Sequence, residues 1–90
     1  MDDWERIQAR GTLRVGMDAS FPPFESEEGG VLRGYDVDLA EEIGRRLGAQ
    51  VTFVNVPFDG LYDALQAKRC DVLISALPYD GQRTQDVAYT

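Results

Sequence analysis

The sequence predicts an α/β fold, an open and mostly parallel sheet with helices on both faces. Strand-like and helix-like periodicities alternate along the chain in the order β, loop, α, β, α, β, short α, β. Such alternation requires right-handed βαβ crossovers. The run DVLISAL, Asp71 to Leu77, is almost continuously apolar, the pattern of a central parallel strand covered on both faces. Ninety residues with 43% hydrophobic and 28% charged content make one globular domain and exclude a disordered chain. A domain of this size buries only about 60–65% of its unfolded surface, so the core is small.

Residues 3–10 form one or two helical turns with Trp4 and Ile7 on one side, and residues 1–10 are an N-terminal extension to a single lobe over 11–90. Gly11 opens a strand from Thr12 to Met17, in which Leu13, Val15 and Met17 alternate with Arg14 and Gly16. Asp18 to Phe24 holds two prolines between two phenylalanines and is irregular. Glu25 to Gly30 is acidic and ends in Gly-Gly, a tight exposed turn between short extended pieces, with Val31 to Arg33 returning. Asp36 to Leu47 is a helix with Val37, Leu39, Ala40, Ile43 and Leu47 on one stripe. Asp36 or Asp38 caps it, Glu41–Arg45 and Glu42–Arg46 support it, and Gly48 stops it. Val51 to Val56 is a β-branched strand closed by Pro57, and Asp59 caps a second helix reaching about Arg69. Asp80 caps a short helical turn over Gly81–Asp86, and Val87 to Thr90 begins another strand.

The charge balance excludes several classes of function. Nine Lys and Arg against 16 Asp and Glu give a net charge of −7, opposite to the basic face of a nucleic-acid binder. With no histidine, His-based triads and His-ligated zinc are excluded. A single cysteine, Cys70, excludes an internal disulfide and a multi-cysteine metal site. No apolar run is long enough to span a bilayer, and MDDWERIQAR lacks the apolar core of a signal peptide. An exported parent would therefore have shed its signal, with Met1 added.

In open α/β sheets ligands bind beyond the carboxyl ends of the strands. Three segments fall there: Asp18–Phe24, Pro57–Asp59 and Ser75–Arg83. Asp18 is placed to hold a cation beside an apolar wall of Phe21 and Phe24, or the Pro-Pro turn tucks both rings into the core. Arg83 sits in the first turn of a short helix, where the dipole favours anions. Its guanidinium fork and the helix N–H groups suit a carboxylate, or it pairs on the surface with Asp80 or Asp86. The Ser75 hydroxyl donates either to a ligand or to a neighbouring backbone group. Phe58 reads as core, Asp36 and Asp38 as caps, and Cys70 as a space-filler with no base to activate it.

Taken together, GTLRVGMDASFPPFE, GYDVDLAEEIGRRLG and DVLISALPYDGQRTQDVAYT resemble the bacterial family 3 solute-binding proteins, amino-acid receptors of ABC importers. The resemblance covers residues 11–90 and implies one lobe of a type II periplasmic-binding-protein fold. It implies that Arg83 clamps the ligand α-carboxylate. Phe21 and Phe58 would flank the ligand, and Asp18 would reach its polar groups. Ser75, Ala76 and Leu77 would offer backbone to its amino and carboxylate groups. No catalytic residue, metal or cofactor is implied. The implied partners are a small-molecule amino acid and, in an intact parent, the importer permease, in the periplasm or outside the cell.

Two positions depart from the family pattern. Pro78 stands where many members carry Ser or Thr, removing a hydroxyl and an N–H, and Asp80 replaces a frequent Thr. Family members have two lobes, whereas this chain stops near the expected crossing to the second. An isolated first lobe is therefore expected, with uncovered surface that drives self-association as a two-fold dimer or by exchange of the terminal segment. The other readings are a half-protein that folds without binding, a dehydratase acting on prephenate-like acids, and a sensor domain of the same fold.

Overall fold

The sheet is built on β1, Thr12–Met17, with Leu13, Val15 and Met17 on one face and Gly16 opposed to the other. The computed structural model describes residues 2–89. β1 lies between β5, Gln50–Asn55, and β6, Val72–Leu73, and is parallel to both. Thr12 pairs with Gln50 and Met17 with Asn55 on one side. Val15 and Gly16 pair with Val72 and Leu73 on the other. The chain thus goes from β1 to one neighbour and returns to the opposite one, reversing the strand order at β1.

Each face of the sheet carries its own core. Ile7 of α1, Asp3–Arg10, and Val37 and Ala40 of α2, Tyr35–Leu47, pack on Leu13, Val15 and Met17, flanked by Val51, Phe53, Val72 and Ile74. The opposite core joins Leu61 and Ala64 of α3, Leu61–Gln66, to Val56 and Cys70, with Val54 and Leu73 beside them. Each fully buried Val, Leu, Ile or Met among them contributes about 1.5–3 kcal/mol, and each alanine less. Gly44 brings α2 down onto β5, since a Cβ there would stand 2.2 Å from Val51 Cγ2.

Between β1 and α2 the chain makes an antiparallel meander of β2, Ser20–Phe21, β3, Glu25–Glu28, and β4, Val31–Arg33. Gly29 and Gly30, at φ +58° and +82°, supply the two left-handed positions of its two-residue turn.

Several expectations are corrected. Neither Asp36 nor Asp38 caps α2, because the Tyr35 and Asp36 N–H groups donate to the Pro23 and Phe24 carbonyls at 3.2 and 2.8 Å. This seat requires Gly34, at φ +130°, where a Cβ would lie 2.3 Å from the Phe24 oxygen. Glu42, rather than Glu41, pairs with Arg45, and it also holds Arg46. Asp59 lies in a 3₁₀ turn, Phe58–Gly60, and makes no side-chain cap for α3. That helix ends at Gln66 instead of Arg69, because Lys68 turns left-handed at φ +61°. The Arg69 and Lys68 N–H groups then bond to the Ala64 and Leu65 carbonyls. DVLISAL is covered on both faces, but only Val72–Leu73 is strand, and among the described residues it is an edge rather than the centre. Residues 87–89 form no strand, and Thr90 lies outside the described residues.

Candidate functional site

Three loops leave the carboxyl ends of β1, β5 and β6, and hydrogen bonds stitch them together. The Phe58 N–H donates to Asp18 Oδ2 at 2.8 Å, and the Asp18 N–H donates to Ser75 Oγ at 2.9 Å. The Ser75 hydroxyl donates to Glu25 Oε1, and the Ala19 N–H donates to Asn55 Oδ1 at 3.1 Å. Asp18 Oδ1 accepts from the Ser20 hydroxyl. Of the expected site residues, Asp18, Phe58 and Ser75 are thus brought together. Ser75 is 3% exposed and its single hydroxyl proton is committed inside the protein.

Ala76 sits at φ +50°, a left-handed conformation that opposes its Cβ, and it turns the chain out of β6. Such strain concentrates at ligand-facing loops. Leu77 packs against the α3-side core. The aromatic rings are not in the core: Phe21 is 53%, Phe24 39% and Phe58 40% exposed. Phe21 stacks at a tilt on Phe24, 5.7 Å between centroids, and Phe24 meets Tyr35 at 6.4 Å.

Arg83 stands apart from this line, on a 3₁₀ turn over Gly81–Gln85. The Asp80 carboxylate caps that turn by accepting from the Gln82 N–H at 3.0 Å, so one N–H expected to face an anion is occupied. The guanidinium carbon lies 4.5 Å over the Tyr62 ring. Among the described residues Arg83 forms no ion pair, so the expected surface partners Asp80 and Asp86 do not hold it. A hydrogen bond to the Tyr89 hydroxyl, with burial adding, pushes the Tyr62 phenol up to about 12.

Glu25, which sequence reasoning placed in an exposed turn, is instead a fully buried hub at 0% exposure. Burial, then the neighbouring Asp36, push its carboxyl up to about 7 against the Ser75 hydrogen bond, and the Asp18 charge adds to the rise. No periodic signal could have found it, since it is buried by the meander folding over α2. Burial also pushes the Cys70 thiol up, consistent with a space-filler. A surface depression of about 540 Å³ is lined by Tyr79 and residues 84–89 and touches none of the seven expected ligand residues. Of those seven, Phe21, Phe58 and Ala76 present an open face, Asp18, Leu77 and Arg83 are half-buried, and Ser75 is buried.

A parallel sheet with helices on both faces and its loops gathered at the reversal of strand order defines one lobe of a type II periplasmic-binding-protein fold. The chain belongs to the bacterial extracellular solute-binding proteins, family 3, whose family model matches residues 13–90. It is 42% identical over 79 residues to the histidine-binding periplasmic protein of Salmonella typhimurium, covering 87% of this chain and 30% of that protein. It therefore spans about a third of the length of the curated relatives it matches. The arginine-bound form of domain 1 from TmArgBP matches with a TM-score of 0.88 at 46% identity, over 98% of this chain and 68% of that one. The ancestral amino-acid-binding protein AncCDT-1, a precursor of cyclohexadienyl dehydratase, matches with a TM-score of 0.89 at 36% identity, over 93% and 37% of the two chains.

Proposed function

We propose that this chain is the first lobe of an amino-acid receptor and that its ligand carries a cationic side chain. The observation that carries the reading is placement: exposed Phe21 and Phe58, the fixed Asp18 carboxylate and the strained Ser75–Leu77 turn all lie beyond the carboxyl ends at the strand reversal. Arg83 clamps the α-carboxylate through two parallel charge-assisted hydrogen bonds, leaving its resting place on Tyr62. Phe21 and Phe58 flank the side chain, and aromatic faces favour a guanidinium or imidazolium over an anion. The histidine-binding relative and the arginine-bound domain support that ligand class. In the intact parent the lobe serves uptake through an importer permease outside the cytoplasmic membrane. The exposed edge of β6 pairs with a second copy, which light scattering at high micromolar concentration checks.

A dehydratase reading draws on the likeness to AncCDT-1. Glu25 titrates where an acid–base catalyst would, but it is sealed beneath Ser75 and reaches no substrate. Binding without turnover is therefore favoured, and prephenate-like acids should be returned unchanged.

The test is a ¹⁵N–¹H correlation spectrum titrated separately with L-arginine, L-histidine and L-glutamate. Saturable shifts on residues 18–24, 58 and 75–83 are expected with the first two, and weaker ones with glutamate. A well-dispersed spectrum that none of them moves would contradict the reading and favour a half-protein that folds without binding.

A further inference from the structure

The Glu25 and Asp36 side chains each end in a buried oxygen, Oε2 and Oδ2, with no hydrogen-bond partner among the described residues, and Asp36 is the neighbouring carboxyl that acts most strongly on Glu25. Two ionised carboxylates cannot bond to one another. One proton between them satisfies both oxygens at once, whereas none leaves two buried lone-pair sites unmet. Glu25 lies on β3, and Asp36 lies in the first turn of α2, where its carboxylate is released from capping by the Pro23 and Phe24 carbonyls. The other Glu25 oxygen receives the Ser75 hydroxyl. Ser75 receives the Asp18 N–H, and the Asp18 carboxylate receives the Phe58 N–H. A single line of hydrogen bonds therefore runs from Glu25 to all three strand-end loops, with the Asp36 carboxyl of α2 beside its start.

We infer that Glu25 is a positioning residue for the ligand site, sharing a proton with Asp36 through one oxygen and holding the Ser75 hydroxyl with the other, so that loss of the proton loosens the Asp18 and Ser75 loops. The inference rests on the ligand reading above only for its effect on affinity. The charged groups acting on Glu25 are Asp36 from α2 and Asp18 from the loop after β1, both acidic, and Ser75 is the neutral donor after β6. Burial beside two acids makes the protonated form the one that completes the line. Ionisation places a further negative charge against Asp36 and Asp18 and opens the Asp36 end.

The experiment follows the Glu25 side-chain carboxyl by ¹³C NMR against pH in the ligand-free chain. Its midpoint is expected at about 7, with the Asp18 and Ser75 amides moving at the same midpoint. Glu25→Gln keeps both roles, its amide donating to Asp36 and its carbonyl accepting from Ser75, and should abolish the amide titration. Asp36→Asn supplies a donor to the ionised carboxylate and should lower the midpoint, which keeps the test decisive if Glu25→Gln folds poorly. A midpoint near the ordinary value of 4.5 would overturn the inference, as would amides that ignore the Glu25 titration.

For ligand affinity the probe is L-arginine, whose charge is constant across the range. If only the protonated form binds, affinity falls about tenfold from pH 6 to pH 8, in proportion to the protonated fraction. In Glu25→Gln it should be flat. Equal slopes in the two proteins would overturn the link to the site. A chain that binds no arginine at any pH would contradict the proposed ligand class, while the ligand-free titration still decides the role of Glu25.

Discussion

Gly34 shows how one residue seats the start of α2 against the Pro23–Phe24 loop. Its φ of +130° and the Phe24 carbonyl 2.3 Å from any Cβ leave no room for a side chain. Gly34→Ala should cost about 2–3 kcal/mol, read as a lower urea midpoint with an unchanged slope. The meeting of the Asp18, Phe58 and Ser75 loops was legible because loops that follow parallel strands gather at the strands' carboxyl ends, and alternating periodicities locate those ends. Glu25 and Asp36 were not. In sequence each is an ordinary exposed-type acid, and their pairing exists only after the meander folds over the start of α2. Phe58 was misplaced as core because an aromatic after a strand is most often buried, whereas here it opens a 3₁₀ turn and stays exposed.

At the scale of elements, β1 was legible to the residue and α2 to within one, since alternation and a 3.6-residue stripe are set locally. The end of α3 was not, because its left-handed stop is a lysine, where a glycine would have announced it. Lys68→Gly removes the Cβ conflict and should raise stability by about 0.5–1 kcal/mol, measured by thermal or urea unfolding. The Lys68–Asp3 ion pair lost with it is exposed at 3.6 Å, and such pairs contribute little. The apolar DVLISAL run reported correctly that both faces are covered, but face burial carries no information about edges. Its strand ends after Leu73, where Ser75 turns inward and Ala76 turns left-handed.

For the whole molecule, two of the three shifted carboxyls, Glu25 and Asp71, bound the pH range of greatest stability, the third, Glu42, being on the exposed face of α2. Burial raises Glu25 to about 7, so the folded state holds this proton more tightly than the unfolded chain does. Its contribution is full below about pH 4.5 and is lost as pH rises through 7. Asp71 behaves in the opposite way. Burial pushes it up, but hydrogen bonds from the Arg14 side chain and backbone and from Arg10 outweigh that and hold it below its usual range. Its contribution is present above the ordinary aspartate value and is lost as pH falls through the lowered one. The thermal midpoint should therefore peak at about pH 4, between the ordinary aspartate value of 3.8 and the ordinary glutamate value of 4.5. Glu25→Gln should flatten the alkaline side and leave the acid side unchanged. A peak that stays in place with an unaltered alkaline slope would remove Glu25 from the account.

The central claim is that Arg83 receives an α-carboxylate on this open face, and calorimetry on a carboxylate cycle tests it most directly. L-arginine and L-argininamide, which lacks the carboxylate, are each titrated into the wild-type chain and into Arg83→Ala. The wild-type chain should prefer L-arginine by at least about tenfold, and Arg83→Ala should bind the two alike. A preference for the carboxylate that survives in Arg83→Ala would contradict the account and move the clamp to other residues of the lobe.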